Sequence, residues 1–93
     1  METRIEEIER ELSIPKDRIL QEGIRRYLEA QLKDIRIEVA KISAKYNASG
    51  FASLWKKIES GKVSEGECFD DLTKLDYLEE RAKKVRRLLE GRS

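Results

Sequence analysis

The sequence predicts an all-α protein in which a short, a long, a short and a second long helix follow one another. Charged residues make up 42% of the chain and aromatic residues 6%, a balance that suits long helices with one apolar face. Apolar residues recur three and four positions apart through both long segments, which is the helical spacing. The simplest arrangement of two such segments is an antiparallel helical hairpin or bundle.

The first helix is predicted from about Thr3 to Leu12. Thr3 and Glu6 have the spacing of a capping box, in which each side chain satisfies a backbone N–H at the start of the helix. Pro15 predicts the end of this helix, since its ring disfavours helical geometry at Ile14. One face of the helix is apolar, comprising Ile5, Ile8 and Leu12.

The second helix is predicted from about Pro15, a residue type that fits a first helical turn, to Tyr46. Its apolar residues follow a heptad-like pattern that favours packing along another helix at a shallow angle. Gly23 interrupts this helix with a residue that disfavours it by about 1 kcal/mol. The apolar row consists of Ile24, Leu28, Leu32, Ile35, Val39, Ile42 and Tyr46.

Two further helices follow turns rich in Ser, Gly and Asn. The third is predicted from about Phe51 to Ser60, with Phe51 and Trp55 covering one end of the hairpin. The fourth is predicted to begin with a capping box of Ser64 and Glu67 and to end at about Glu90, before Gly91. Its apolar row consists of Cys68, Leu72, Leu75, Leu78, Ala82, Val85 and Leu89.

The length of 93 residues indicates one domain, residues 1–93, with a helix-turn-helix-like dimerisation part at 1–32 and a helical hairpin at 33–93. A core this small leaves apolar surface uncovered, so we expect self-association. The single cysteine, Cys68, is expected to be a small buried residue. No apolar run reaches the roughly 18 to 20 residues of a membrane span, and because the N-terminus is acidic we expect it not to be a secretory signal. The expected location is the cytoplasm.

The sequence offers no arrangement for catalysis. It contains no histidine, the commonest general base near neutral pH and the commonest metal ligand. Its glycines are scattered singly, so no phosphate-binding loop is present. The acidic stretch around Asp70 and Asp71 lacks the histidines of a di-metal carboxylate bundle and is interpreted as a solvated face. We therefore expect no enzyme activity, no catalytic residue, no metal and no cofactor.

Charge is distributed unevenly along the predicted last helix. Residues 64–80 contain seven acidic residues and one basic residue, and residues 81–93 contain six basic residues and one acidic residue. This polarity complements the helix dipole, but the basic end is larger than one helix terminus requires. Three interpretations remain: a solvated helix end, a contact for an acidic partner protein, or a phosphate contact. The basic residues are Arg81, Lys83, Lys84, Arg86, Arg87 and Arg92.

The stretch "IEEIERELSIPKDRILQEGIRRYLEAQL" resembles the two helices of ribbon-helix-helix regulators. In that family the second helix packs against its twin in a dimer, and a β-strand ahead of the first helix reads DNA. Only Met1 and Glu2 precede Thr3 in this sequence, so we expect the reading strand to be absent or minimal. The resemblance implies a dimer core of Ile19, Leu20, Ile24, Tyr27 and Leu28, with Arg25 and Arg26 at its flank.

The stretch "KYNASGFASLWKKIESGKVSEGECFDDLTKLDYLEERAKKVRRLL" is similar to small archaeal antitoxin-type proteins. This resemblance implies a cytoplasmic, dimeric helical protein that binds and silences a toxin. The expected partner contacts are Phe51, Trp55 and the basic residues of the last helix. For the two aromatic residues, packing against the hairpin core is the other interpretation.

Two alternative functions remain open. The first is a DNA-binding transcriptional regulator, whose phosphate or groove contacts would be Arg18, Arg25, Arg26 and Lys33. The second is a structural dimerisation protein without any further partner. The leading hypothesis is a non-enzymatic protein-interaction module, most specifically the antitoxin of a toxin–antitoxin pair.

Overall fold

The computed structural model describes residues 4–91 of the chain and contains four α-helices within that range. They are α1 (Ile5–Leu12), α2 (Lys16–Lys45), α3 (Phe51–Glu59) and α4 (Glu65–Glu90). No β-strand is present among the described residues. The predicted all-α class and the predicted short–long–short–long order are confirmed.

The turn between α1 and α2 combines a residue in the left-handed conformation with a proline. Ser13 ends α1 in the left-handed conformation, with φ of 54°. Pro15 precedes the first residue of α2 with φ of −59° and ψ of 143°, an extended geometry that proline readily adopts. The backbone N–H of Lys16 donates to Glu9 Oε2 at 3.1 Å. The carboxylate of α1 thus satisfies one of the unpaired donors at the start of α2.

The predicted capping box at the start of α4 is wrong. Ser64 does occupy the position before the helix, but its side chain makes no capping hydrogen bond. The Ser64 carbonyl instead accepts backbone N–H groups of Glu67 and Cys68 at 3.2 Å and 3.3 Å. Of the other predicted capping box, Thr3 lies outside the described residues.

The core lies between α2 and the antiparallel α4 and includes the middle of the apolar row of α2 and the row of α4 from Cys68 to Val85. Leu75 and Cys68 of α4 are completely buried, as is Leu54 of α3. Leu28, Val39, Tyr46 and Leu89 are partly buried against this core. The buried set is Leu32, Ile35, Ile42, Leu54, Cys68, Leu72, Leu75, Leu78, Ala82 and Val85.

Ile24 is the member of the α2 row that the core does not bury. Its side chain is 43% exposed. At this level of α2, the surface beside Gln21 and Arg25 is lined from α4 by Leu89 alone, a residue of the last helical turn. The N-terminal part of α2 therefore has little cover from the hairpin.

The molecule is long and flat, with extents of 62 × 26 × 16 Å. Its radius of gyration is 19.3 Å, whereas a compact domain of this length has about 12 Å. Its accessible surface is 7090 Å², against about 5600 Å² for a compact monomer of this mass. The excess is surface that a second protein can cover.

Candidate protein-interaction surfaces

Three apolar side chains in the N-terminal part of α2 form one exposed face, which we call the α2 apolar face. Leu20 is 46% exposed, Ile24 43% and Tyr27 61%. Their spacing of four and three residues places them on the same side of the helix. No described residue covers this face. All three residues belong to the predicted dimer core.

The other two residues of the predicted dimer core lie elsewhere. Leu28 is partly buried against the hairpin core. Ile19 lines a cleft between α1 and α2 together with Ile8 and Ile14. Of the five predicted positions, the structure therefore brings together Leu20, Ile24 and Tyr27 on an open face and uses Ile19 and Leu28 for contacts within the chain.

The helix α1 adds to the uncovered apolar surface. It contains no buried residue, and Ile8 and Leu12 are exposed. Five of the ten exposed large apolar side chains lie between Ile8 and Tyr27. The N-terminal part of the molecule is thus the most incompletely packed.

The four cations of the DNA-binding alternative are all exposed. Arg25 pairs with Glu29 at 3.5 Å, and Arg26 pairs with Glu22 at 3.8 Å. Arg18 lines the cleft between α1 and α2 with Arg26, and Lys33 follows further along α2. Carboxylates on the same helix therefore lie beside two of the four, and DNA contact by these residues stays a prediction.

The basic end of α4 projects on several sides of the helix. Arg81, Lys84 and Arg87 are exposed, as are Lys83 and Arg86, while Ala82 and Val85 face the core. Lys83 Nζ lies 3.3 Å from Glu80 Oε2. The sixth predicted residue, Arg92, lies outside the described residues. Only some of these side chains can face any single partner.

A groove runs between α2 and α4 next to the start of α3, and we call it the α2–α4 groove. Its volume is about 430 Å³. Apolar residues Ile35, Val39 and Ala82 line it, and Arg36, Lys83 and Arg86 contribute cations. Its remaining lining residues are Ala40, Ser43, Ser49 and Glu79. The groove thus combines apolar residues with a basic border.

Ser43 gives this groove an unusual polar group. The residue is only 7% exposed, and its buried Oγ has no hydrogen-bond partner among the described residues. Buried hydroxyl groups are normally hydrogen-bonded, because an unpaired one loses its contacts with water without replacement. Ser43 is therefore a buried polar atom that an external group can satisfy.

Glu79 fixes the start of α3 at one end of the groove. Its Oε2 accepts the backbone N–H of Phe51 at 2.9 Å. Gly50 makes this approach possible: a Cβ at this position would lie 2.8 Å from the same oxygen. Gly50 also has φ of 117°, a conformation that is open to glycine and strained for other residues. The carboxylate of Glu79 is therefore already engaged within the chain.

Asp71 joins the end of α2 to the start of α4. Its Oδ2 accepts hydrogen bonds from Lys45 Nζ at 2.7 Å and from Tyr46 Oη at 2.5 Å. The hydrogen bonds from Lys45 and then Tyr46 lower the pKa of Asp71. The hydrogen bond to Asp71, followed by burial, raises the pKa of Tyr46 to about 12. This cluster therefore links the two long helices of the hairpin.

The aromatic pair of α3 is divided between core and surface. Phe51 and Trp55 are stacked with ring centroids 6.5 Å apart and planes 4° apart. Phe51 is partly buried against the core, and Trp55 is 37% exposed. Leu54 is the residue of α3 that fills the core. Trp55 therefore has exposed surface that a partner can contact, whereas Phe51 also packs against the core.

The described residues contain no group of three or more His, Cys, Asp or Glu side chains that could hold a metal ion. Cys68 is buried, as predicted, and burial raises the pKa of its thiol. Between residues 4 and 91, no helix has the length and apolar character needed to cross a membrane.

Comparisons with known proteins identify a family that matches this chain. A model described as "Uncharacterized protein MJ0235 family" matches residues 1–91. A relative from the archaeon Methanocaldococcus jannaschii, described as "Uncharacterized protein MJ0235", is 37% identical over 59 residues. That match covers 63% of this chain and 72% of the relative. No solved structure is significantly similar. The antitoxin-type resemblance is not among these findings and stays a prediction.

Sequence reasoning did not find the α2–α4 groove. The apolar periodicity gave its components, Ile35, Val39 and Ala82, as core positions. It did not indicate that Arg36 and Arg86 lie on either side of one cleft, because they belong to helices that are distant in sequence. For the same reason, the sequence did not indicate that Glu79 accepts a hydrogen bond from the backbone N–H of Phe51.

Proposed function

This chain belongs to the MJ0235 family of uncharacterized archaeal proteins, and from that premise we propose that it is a non-enzymatic protein-interaction module of the cytoplasm. One observation carries the proposal. Leu20, Ile24 and Tyr27 form a continuous apolar face that nothing within the described chain covers. Contiguous exposed apolar surface of this kind marks sites of association between proteins.

The first partner is a second copy of the chain, which packs against the α2 apolar face to form a homodimer. A helix that presents apolar residues four and three apart packs well against a like helix. Burial of each such side chain stabilises association by about 1.5 to 3 kcal/mol at most. The long, thin monomer gains from this pairing because its own core is small.

Substitution of Ile24 tests this self-association against a matched control on the same helix. Ile24 is 43% exposed and Ile37 is 44% exposed, but Ile37 does not belong to the α2 apolar face. We expect Ile24→Asp to weaken the dimer at least about tenfold, a change of 1.4 kcal/mol, and Ile37→Asp to leave it unchanged. Sedimentation equilibrium measures both. Equal behaviour of the two variants, or a monomeric wild-type chain at high concentration, would contradict the proposal.

The second partner is a toxin, which makes the chain the antitoxin of a toxin–antitoxin pair. This assignment follows the predicted resemblance of residues 45–89 to antitoxin-type proteins, and its structural support is the partly exposed Trp55 and the exposed basic end of α4. The proposed action is steric: a helix of this chain covers the active site of the toxin. Phe51 contributes to this contact mainly by holding Trp55 through ring stacking.

Co-expression tests the antitoxin assignment. The tagged chain is produced together with the product of an adjoining gene, and growth and co-purification are measured. We expect the neighbouring product to arrest growth alone, and the chain to relieve the arrest and to co-purify with it. Trp55→Ala should weaken the complex while the chain remains folded. Repeated failure to recover any neighbouring product would count strongly against this assignment.

A further inference from the structure

We infer that the α2–α4 groove is a docking site for an acidic amphipathic helix of a partner protein. This inference rests on the proposed function as an interaction module and specifies the chemistry of the partner. The observations that carry it are the shape of the groove, the unpaired Ser43 hydroxyl and the sign of the charges around the cleft.

The shape of the groove suits a helix. Its α2 side extends from Ile35 to Ser43, which corresponds to about 12 Å or two helical turns. Ala40, Ser43 and Ala82 among the lining residues are small, so the backbone of an incoming helix can approach closely. The same helical hairpin already carries α3 at the neighbouring end, where Leu54 is fully buried. A partner helix in the groove would cover the part of the α2–α4 hairpin that lies next to α3.

The Ser43 hydroxyl indicates that an external group belongs in the groove. It lines the groove, and its Oγ is buried without a hydrogen-bond partner among the described residues. A partner that offered only apolar side chains to the groove would leave this hydroxyl without a hydrogen bond. A polar side chain within the apolar stripe of the partner helix satisfies it.

The charge around the groove selects an acidic partner. Arg36 and Arg86 form no ion pair with another described residue, and Lys83 pairs only with the exposed Glu80. Glu79, the carboxylate among the lining residues, is engaged by the backbone N–H of Phe51. Carboxylates on both edges of an incoming helix therefore meet cations from α2 and from α4, whereas a basic helix would be repelled.

The test uses a defined peptide and the full chain at physiological salt. The probe is a fluorescent helical peptide of about 16 residues, roughly four turns, with an apolar stripe, one central Gln in that stripe and Glu along both edges. A second peptide has Lys in place of every Glu. We expect saturable binding of the acidic peptide, measured by fluorescence anisotropy, at least tenfold tighter than that of the basic peptide.

Two double variants with the same change of net charge locate the site. Arg36→Glu with Arg86→Glu should weaken binding of the acidic peptide at least tenfold. Lys56→Glu with Lys62→Glu alters exposed residues of α3 and the following loop that do not line the groove, and affinity should stay within about twofold. Circular dichroism establishes that both variants remain helical. Equal losses in both variants would show non-specific charge attraction and overturn the inference.

A variant of Ser43 tests the polar contact separately. The peptide with central Gln should bind the wild-type chain more tightly than a peptide with Leu at that position, because the Leu peptide leaves Ser43 unpaired. In Ser43→Ala this preference should disappear or reverse. A preference that survives in Ser43→Ala would remove the hydroxyl from the site and overturn the assignment of this groove.

Three other outcomes overturn the inference while leaving the proposed function to its own tests. They are no saturable binding of the acidic peptide, tighter binding of the basic peptide, and a loss of self-association in the Arg36→Glu, Arg86→Glu variant. The last result would mean that a second copy of the chain occupies the groove. The co-expression experiment fails or succeeds independently, because it requires no binding of the peptide.

Discussion

The hairpin of α2 and α4 and the N-terminal helix pair contain the same kind of amphipathic sequence but differ in burial. In the hairpin, apolar residues spaced three and four apart are buried by the opposite helix, and Leu75 and Cys68 are completely enclosed. In the N-terminal pair, α1 has no buried residue and Leu20, Ile24 and Tyr27 remain exposed. The comparison teaches that periodicity defines a face capable of packing and does not supply the surface that covers it.

The largest expected effect separates the two regions by a pair of leucine substitutions. Leu75 is 0% exposed and Leu20 is 46% exposed. Leu75→Ala should lower the free energy of unfolding by about 2 to 5 kcal/mol because it creates a cavity in the core. Leu20→Ala should change it by less than about 0.5 kcal/mol in dilute protein, as surface substitutions do.

Urea unfolding followed by circular dichroism measures both leucine variants. At high protein concentration, Leu20→Ala should additionally weaken self-association, which provides a second readout. Similar losses for the two variants in dilute protein would show that the N-terminal helix pair is as firmly packed as the hairpin, against the distinction made above.

An intermediate effect of opposite sign in the two regions is expected at two glycines. Gly50 has φ of 117°, and a Cβ there would also lie 2.8 Å from Glu79 Oε2, so Gly50→Ala should destabilise the protein by about 1 to 3 kcal/mol, mainly through backbone strain. Gly23 lies within α2, and a Cβ added there would have nothing within 4 Å. Gly23→Ala should stabilise the protein by up to about 1 kcal/mol through helix propensity. Thermal melts measure both changes, and the same sign for both would refute the assignment of Gly50 to a strained turn.

A smaller loss than that of Gly50→Ala is expected when the hydrogen bond from Tyr46 to Asp71 is removed. Tyr46→Phe should cost about 1 to 2 kcal/mol at neutral pH. The pKa of Tyr46 is raised from 10.0 to about 12 in the folded state, so the folded state retains this proton where the unfolded chain has lost it. The stabilisation is therefore complete below pH 10 and disappears as the pH rises towards 12.

Urea unfolding of the wild type and Tyr46→Phe across this pH range isolates the contribution of Tyr46, since other titrating groups are common to both. The difference in stability between the two proteins should shrink between about pH 10 and 12. A difference that stays constant over that range would mean that the hydroxyl of Tyr46 does not donate to Asp71.

Much of the fold could be predicted from local sequence. Pro15, the turn residues around Gly50 and Gly61, and Gly91 mark helix ends within a residue or two of the observed bounds. The apolar row from Cys68 to Leu89 predicts the buried side of α4, since a helix covered along its length buries one continuous row. The capping box of Ser64 and Glu67 was wrong, because residue type at the right spacing does not guarantee the side-chain geometry.

The candidate sites were less predictable. The dimer-core positions were proposed as one set, yet Ile19 faces α1 and Leu28 joins the hairpin core, since adjacent residues of a helix point in different directions. The cluster of basic residues at the end of α4 is apparent from the sequence alone. Its division between the groove, which takes Lys83 and Arg86, and other sides of the helix depends on where α2 lies.

The sequence by itself determined the four helices, their order and the apolar rows of the hairpin, because helix propensity, turn residues and apolar spacing act over a few residues at a time. Only the tertiary structure decided that Asp71 meets Lys45 and Tyr46, that Glu79 holds the start of α3, and that Arg36, Ser43 and Arg86 share one groove. The three hydrogen bonds join residues 25 to 28 positions apart, and the groove combines residues of α2 with residues of α4. Their formation depends on the relative rotation and register of whole helices, which no local pattern specifies.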